Sequence, residues 1–412
     1  MKKKILIVGN GAKEYALANK LSEKHEIFIT PSSDTLKEFT TCLDIREDSI
    51  KELLEFAVEN DIDMTIATSQ KAINADIATI FNNNKQQIFA PTTKANEIIS
   101  NKTYAKKILY KLRIPTPKFG IFEKQNLAVD YIKNQNIPFV IKTNDSNSAL
   151  IITSANIGKN ILDMIFTERN KKAIIEDYIY GTPFSFYAIT DGYKALPIGN
   201  SLIYKHALDG DGGQLTNGMG ACIPNYKLSI EHEYFIMDNV IYPTIEYLES
   251  SGNPYVGILG VNGIITEEGN LQILGWQNFT QDSDTDAILN GIDDDIYNLF
   301  EACIIGSFSD EINNITINDK NFVSVVISNM NKNNEQNTIL GIDNIDDTVL
   351  ISFYPTVKKN KYLELEANSD AVMVITSSAS SLFRAKEKIN RELQDIKFNG
   401  MKYRKDILKM DI

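Results

Sequence analysis

Cysteine and histidine are scarce in this chain of 412 residues, which contains three of each. The three cysteines, Cys42, Cys222 and Cys303, are odd in number and far apart in the sequence. A disulfide framework uses cysteines in pairs, and a structural zinc site uses closely spaced ligands. The sequence therefore predicts neither a disulfide-stapled fold nor a metal site.

The chain also lacks an excess of positive charge and any long apolar segment. Its 42 Lys and Arg residues stand against 54 Asp and Glu residues, a net charge of −12. Such a balance argues against nucleic acid or an anionic membrane as a partner. The basic start is followed only by the short apolar run 5–8, which indicates a first strand and not a signal peptide. A cytoplasmic protein is the simplest prediction.

Strands alternate with helices over the first hundred residues, with one of the helices predicted over 73–82. The alternation predicts a doubly wound parallel sheet, and the length of the chain predicts roughly two to four domains. Gly9, Asn10 and Gly11 follow the first strand and precede a helix, so their N–H groups suit a phosphate. The turn is not a complete dinucleotide fingerprint, because Glu14 occupies the position of its third glycine.

A glycine-rich stretch at 209–221 is the most unusual part of the sequence. It holds five glycines and two aspartates in thirteen residues, a composition that disfavours a regular helix. Backbone N–H groups of such a loop can approach a small anionic ligand, with Asp209 and Asp211 beside it for an amine. A mobile surface turn is the alternative interpretation.

This stretch resembles the substrate loop of the glycinamide ribonucleotide synthetases (phosphoribosylamine–glycine ligases), which are ATP-grasp enzymes of purine synthesis. The shared loop positions are Lys205, Asp209, Gly210, Asp211, Thr216, Gly218, Met219, Gly220 and Ala221. The opening turn 9–11 and the chain end 403–407 are also similar to the family. The resemblance covers nearly the whole chain and implies an ATP-dependent carbon–nitrogen ligase that forms glycinamide ribonucleotide from phosphoribosylamine and glycine.

The resemblance also implies a division into domains. An N-terminal α/β domain would span 1–101, and an ATP-grasp domain would span 102–315, with a small lid at about 120–183. A C-terminal α+β domain would span 316–412. The substrate-binding residues that it implies are Gly9, Asn10, Gly11, Lys205, Asp209, Asp211, Thr216, Gly218, Met219 and Gly220.

The side chains of Asp209 and Asp211 are not needed for a turn, because the glycines alone suffice. We therefore expect the two carboxylates to lack protein partners and to lie around a cationic or hydrogen-bonding ligand. The loop should face the turn 9–11, whose N–H groups would take the 5′-phosphate of a phosphoribosyl amine or amide.

The residues that serve ATP in the family are only partly present. By the resemblance, Lys102 and Lys142 would face the triphosphate, and Glu176 and Asp177 would lie at the hinge that holds adenine. ATP and Mg²⁺ are the cofactors that the resemblance implies.

Other family positions carry different residues. Leu150 replaces the lysine of the lid loop, Thr182 and Pro183 the ribose-binding acids, Gly275 the metal-binding glutamate, Gln277 its paired asparagine, and Phe279 an arginine. Phosphoryl transfer needs these charges and a metal held by carboxylates. We therefore expect ATP and Mg²⁺ chemistry to be impaired or lost, assign no metal ligand or catalytic residue, and expect Trp276 to fill space vacated by the nucleotide.

Three functions remain open. The first is a working phosphoribosylamine–glycine ligase. The second is a non-catalytic paralogue that binds a phosphoribosyl amine or amide and acts as a regulatory or channelling partner of other purine-pathway enzymes. The third is an enzyme that acts on glycinamide ribonucleotide without ATP. Because the changes are concentrated in the ATP and metal positions, the sequence favours the second or third function.

Overall fold

The N-terminal part of the chain forms a parallel five-stranded sheet flanked by helices. A computed structural model describes residues 2–144, 149–168, 171–308, 312, 314–330, 337–368 and 370–409. The N-terminal elements are β1 (Lys4–Val8), α1 (Ala12–Ser22), β2 (Glu26–Thr30), β3 (Thr41–Cys42), α2 (Ile50–Glu59), β4 (Met64–Ala67), α3 (Gln70–Asn74), α4 (Ile77–Asn83), β5 (Ile88–Phe89), α5 (Glu97–Ser100) and α6 (Lys102–Lys111). The strand order β3-β2-β1-β4-β5, parallel throughout, confirms the predicted sheet.

The run 5–8 is fully buried, because helices cover both faces of a parallel sheet. The single helix predicted over 73–82 is wrong. Asp76 has φ 63°, a left-handed conformation that separates α3 from α4.

A small antiparallel sheet follows. Its elements are β6 (Phe119–Phe122), α7 (Gln125–Ile132), β7 (Phe139–Lys142), β8 (Leu150–Ile152), α8 (Ala155–Ile165) and β9 (Ala173–Asp177), with strand order β6-β9-β7-β8. Both helices pack on the sheet around a separate apolar core. We call residues 119–177 the lid. Residues 145–148, which precede Leu150 in the lid loop, lie outside the described part of the chain.

The remaining elements build one large sheet, two separate two-stranded sheets and the helices that accompany them. They are β10 (Thr182–Asp191), β11 (Ala195–Ile203), β12 (His206–Leu208), β13 (Gly212–Leu215), β14 (Gly220–Ile223), α9 (Ile230–Ile236), α10 (Tyr242–Ser250), β15 (Val256–Ile265), β16 (Leu271–Asn278), α11 (Thr285–Gly291), α12 (Ile296–Ile305), β17 (Asn321–Asn329), β18 (Leu350–Phe353), β19 (Val357–Lys359), β20 (Leu365–Ala367), β21 (Ala371–Ala379), α13 (Leu382–Glu392) and β22 (Met401–Lys402). The large sheet has the order β16-β15-β10-β11-β14-β17-β21-β18, and β22 pairs with β17.

Strand β14 connects the middle of the chain to its C-terminal part. It ends the glycine-rich stretch and pairs antiparallel with β17, with Gly220 opposite Val325. The strands after residue 316 thus continue the sheet of the preceding segment, and the predicted domain boundaries themselves stay a prediction. None of the helices in the described part of the chain has the length and apolar character that a bilayer crossing requires.

Candidate functional site

The opening turn closes around the carboxylate of Glu14. The N–H of Gly9 donates to the Thr30 carbonyl at 2.8 Å, and the N–H of Gly11 donates to Glu14 Oε2 at 2.5 Å. The Thr68 hydroxyl donates to the other oxygen of Glu14. A Cβ atom on Gly11 would lie 2.7 Å from the Glu14 carboxylate, so the glycine makes room for this acid. The residue that breaks the dinucleotide fingerprint therefore fills the turn.

A second acid from a distant part of the chain reaches the same helix end. Asp282 Oδ1 accepts a hydrogen bond from the N–H of Lys13 at 3.0 Å. Burial, with the nearby Glu14 charge, raises the pKa of Asp282. A phosphate at this turn would have to displace Glu14 and Asp282, and the predicted phosphate contact stays a prediction.

The glycine-rich stretch folds as a short hairpin, β12–β13, followed by β14. The Asp211 carboxylate pairs with Arg404 Nη1 at 2.8 Å, and Asp209 Oδ1 accepts from the N–H of Lys405 at 2.9 Å. Thr216 Oγ1 donates to the Lys205 carbonyl at 2.9 Å. The expectation that the two aspartates lack protein partners is therefore wrong. Contacts with the end of the chain give both carboxylates a structural role.

The later half of the stretch lies near the opening turn. A Cβ on Gly218 would meet Ser283 Oγ at 2.7 Å, and one on Gly11 would meet Asp282 Oδ1 at 3.3 Å. Met219 is buried, and its N–H donates to the Tyr204 carbonyl at 2.7 Å. Residues 282–283 thus lie between the loop and the turn, with Ser283 beside the loop and Asp282 beside the turn. The loop and the turn are close in space but do not face each other directly.

Lys205 is a partly buried cation. Within the described residues no hydrogen bond or ion pair engages its ammonium group. Burial, helped by the nearby Lys142 charge and opposed by Asp284, lowers the pKa of Lys205 to about 8. Two lysines that influence each other in this way are typical of an anion-binding site.

The two lysine positions assigned to the triphosphate differ in their surroundings. Lys102 begins α6, whereas Lys142 ends β7 with its ammonium 2.9 Å from Glu176 Oε2. Glu176 is 1% exposed and also lies 3.3 Å from Lys106 Nζ. Burial would raise the pKa of Glu176, but the two lysines outweigh it and lower that pKa. Glu176 is therefore engaged by two lysines, and Asp177 accepts from Gln135.

Lys106 is a further cation of this site, which the sequence did not predict. It is buried, and burial lowers its pKa to about 8 despite the neighbouring Glu176. Its spacing of one helical turn from Lys102 is the signal that could have placed both lysines on one face of α6.

The strand that should carry the metal ligands holds a network of amides and hydroxyls. Gln277 Oε1 accepts from Asn262 Nδ2 at 2.7 Å and from Gln281 Nε2 at 2.9 Å. Gln277 Nε2 donates to the Tyr187 hydroxyl at 3.0 Å, and that hydroxyl donates to Asp284 at 2.6 Å. Burial raises the pKa of Asp284 to about 6, although its hydrogen bonds oppose the shift. Asp284 is the one carboxylate in this network.

Mg²⁺ is usually held by one or two carboxylates together with waters and substrate phosphates. The one carboxylate of this network, Asp284, already accepts hydrogen bonds from Tyr187 and Ser201, so the residues present do not fit this ion. Across the described ranges, no group of three or more His, Cys, Asp or Glu side chains is placed to hold a metal. Gly275 has φ 156° and open space where a side chain would begin, while Phe279 is buried in the main core beside Phe300. Trp276 is also buried, in an apolar core that includes residues of α5 and α6. This packing does not support the expectation that Trp276 fills space vacated by the nucleotide.

A cleft of about 650 Å³ opens elsewhere, between the N-terminal part and residues 252–256. Asp76, Thr93 and Asn253 are among its lining residues, and none of the predicted site residues lines it. The candidate site is therefore identified by its side chains and not by this cleft.

Comparison with known proteins accounts for this arrangement of sheets. The N-domain model of phosphoribosylglycinamide synthetase matches residues 3–98, and the ATP-grasp (A) domain model of the same enzyme matches residues 100–285. The chain belongs to the phosphoribosylglycinamide synthetase family. This family of purine biosynthesis is part of the ATP-grasp superfamily, so the predicted family and fold class are confirmed.

Relatives in this family match over their full length. The phosphoribosylamine–glycine ligase of Caldanaerobacter subterraneus is 28% identical, covering 98% of this chain and 99% of the relative. That of Halalkalibacterium halodurans is 27% identical, covering 98% and 96%. The crystal structure of the Thermotoga maritima phosphoribosylamine–glycine ligase superposes with a TM-score of 0.81 at 20% identity, covering 98% of this chain and 99% of that one. A biotin carboxylase from Campylobacter jejuni has a TM-score of 0.72 at 13% identity, covering 98% and 93%, which shows a shared fold.

Proposed function

We propose that this member of the phosphoribosylglycinamide synthetase family binds a phosphoribosyl amine or amide and has impaired or lost Mg²⁺·ATP chemistry. The observation that carries the proposal is the network of amides and hydroxyls around Gln277, in which Asp284 is the one carboxylate. By the resemblance of the sequence, Gln277 occupies a metal-binding position of the family. The names of the relatives, phosphoribosylamine–glycine ligases, supply the ligand class.

The loss of charge explains why ATP would bind poorly. A triphosphate brings several negative charges that Mg²⁺ and basic side chains must neutralise. Gly275 and Gln277 contribute no carboxylate, and Phe279 contributes no positive charge. The uncompensated repulsion amounts to roughly several kcal/mol.

The retained cations support a smaller anionic ligand. Lys205 has no acceptor among the described residues, and Lys142 lies near enough to lower its pKa. A single phosphate near these two lysines would satisfy both the ammonium of Lys205 and the local excess of positive charge.

Isothermal titration calorimetry tests both parts of the proposal. Titration with Mg²⁺·ATP should give no binding in the low micromolar range, while glycinamide ribonucleotide should bind at millimolar concentration or below. The Lys205→Met variant is the control for the second titration, and it should not bind glycinamide ribonucleotide. Low micromolar binding of Mg²⁺·ATP would contradict the impaired site, and no response to glycinamide ribonucleotide would contradict the retained one.

A working ligase is the second candidate, favoured by the retained Lys102, Lys142 and Lys205 and by the full-length match to relatives. Steady release of phosphate from ATP that depends on both phosphoribosylamine and glycine would establish it.

A further inference from the structure

The last described residues form a strap over the glycine-rich stretch. We call residues 403–409 the C-terminal strap. Its Arg404 pairs with Asp211, the N–H of Lys405 donates to Asp209, and Asp406 Oδ2 accepts from the N–H of Gly210 at 2.8 Å. Three consecutive strap residues therefore hold three consecutive loop residues.

Arg404 is the centre of this contact. It is 3% exposed, and its guanidinium donates to both oxygens of Asp406 at 2.7 and 2.6 Å and to Asp211 at 2.8 Å. Burial opposes ionisation of Asp406, but the fork from Arg404 and the amide of Gly210 lower its pKa to about 2. A buried guanidinium needs such partners, and its planar fork fixes their geometry in a way that lysine cannot.

The same strap holds both neighbours of Lys205. The Tyr204 ring lies 5.1 Å from the Arg404 guanidinium, and its hydroxyl accepts from the N–H of Leu408 at 2.8 Å. On the other side, Arg404 Nη1 donates to the His206 carbonyl at 3.3 Å. The strap thus holds the side chain of Tyr204 and the backbone of His206, on either side of Lys205. The side chain of Lys205 itself experiences the charges of Lys142 and Asp284.

We propose that Arg404 is a positioning residue: through Tyr204 and His206 it fixes the backbone of Lys205 and directs the lysine ammonium toward a phosphate-bearing ligand. The identity of that ligand rests on the proposed function. The positioning itself is a property of the free protein, because every contact that carries it joins residues of this chain.

The experiment measures how the reactivity of Lys205 depends on pH. Modification of Lys205 by an amine-specific reagent is followed by mass spectrometry in the natural chain, Arg404→Lys and Asp211→Asn. Arg46→Lys is the matched control, since Arg46 forms the same two-residue fork with Asp48 at an exposed site. Circular dichroism establishes that each variant is folded. In samples not treated with the reagent, trypsin cleavage after Lys205, its one site within 204–215, reports the order of the loop.

Arg404→Lys should move the midpoint of Lys205 modification upward from about 8 by about one pH unit or more, toward the value of an exposed lysine. It should also speed cleavage of the loop several-fold. Asp211→Asn should produce a smaller shift in the same direction, and Arg46→Lys none. An unchanged midpoint of Lys205 modification in a folded Arg404→Lys variant would overturn the proposal. If Arg404→Lys does not fold, an unchanged midpoint in Asp211→Asn would overturn it instead.

Protection of Lys205 by ribose 5-phosphate is measured in the same samples. The natural chain should be protected, and Arg404→Lys should need a higher concentration. Absence of protection in the natural chain would contradict the proposed phosphate-bearing ligand. The role of Arg404 is tested separately, by the midpoint of Lys205 modification measured without ribose 5-phosphate.

Discussion

Asp286 is an acid buried in the centre of the molecule. It accepts a hydrogen bond from the Ser352 hydroxyl at 2.7 Å, which joins α11 to β18. Burial raises its pKa to about 7, and the serine opposes that shift. The folded protein therefore holds a proton at Asp286 that the unfolded chain releases near pH 4.

This proton predicts a pH dependence of stability. Because the folded-state pKa is raised, the contribution of Asp286 to stability falls as pH rises from about 4 to about 7 and is constant above that range. Relative to Asp286→Asn, the natural chain should lose roughly 2 to 3 kcal/mol of unfolding free energy between pH 5 and pH 8. Urea unfolding of both proteins at the two pH values measures this difference. A difference that does not change with pH would contradict the prediction.

Gly275 and Leu150 allow a test of the lost charges. Leu150 is 44% exposed at the start of β8, so Leu150→Lys should leave stability nearly unchanged. Gly275 has φ 156° next to a register shift in the β15–β16 pair, so Gly275→Glu should destabilise the fold by roughly 1 to 3 kcal/mol. Together the two changes should raise the affinity for Mg²⁺·ATP in calorimetry. Gly275→Ala is the control for backbone strain, and a double variant with no gain in affinity would contradict the charge argument.

At single positions, residue types were easier to predict than their partners. The glycines at 9 and 11 predicted a turn after β1, and the turn is there. The hydrogen bonds by which Glu14 closes it, from the N–H of Gly11 and the Thr68 hydroxyl, were not predicted. Asp209 and Asp211 were predicted to be unpaired because their partners, Lys405 and Arg404, lie almost two hundred residues further along the chain. A spacing pattern carries no information about contacts at such a separation.

At the scale of elements, the β15–β16 pair is shaped by its side-chain network. A Cβ on Gly260 would overlap the side chain of Gln277, which lies directly opposite in the register. Gly260→Ala should therefore displace Gln277 and leave buried polar groups unsatisfied, lowering stability by roughly 1 to 3 kcal/mol. Gly291→Ala is the matched control, because a Cβ there meets only Phe322 at 3.9 Å. Thermal unfolding compares the two variants, and equal effects would contradict the role assigned to the network.

Elements with a clear hydrophobic period and the parallel N-terminal sheet were predicted from the sequence, whereas contacts between distant segments were not. The first strand indicated by the run 5–8 and the helix expected after the turn 9–11 appear as β1 and α1. The pairing of β14 with β17 could not be predicted, because strand pairing between distant segments leaves no local pattern. The same limit hid the contact of Lys106 with Glu176, since it joins α6 to β9.

At the scale of the whole molecule, the N-terminal sheet shares an apolar core with the large sheet, whereas the lid has a core of its own. Apolar residues of β1 and β2 belong to one core with residues of α12, β17 and β18. Phe89 stacks on Phe300 with ring centroids 3.9 Å apart, and Lys359 bonds to Asp34 and Glu38. The lid instead has its own small core. Shared burial couples unfolding, so the N-terminal and large sheets should unfold together.

Hydrogen exchange tests this division. Amides of β7 and β9 should exchange faster than those of β1 and β10, because the lid can open without disrupting the main core. Lys106 lies outside the lid on α6 and pairs with Glu176 inside it. Lys106→Met removes that link and should speed exchange in the lid selectively, because Glu176 loses one of two cations that stabilise its buried charge. Lys107→Met, at the exposed next position of the same helix, should have no such effect. Equal protection of the lid and the large sheet, or equal effects of the two variants, would show that the lid is an inseparable part of the main fold.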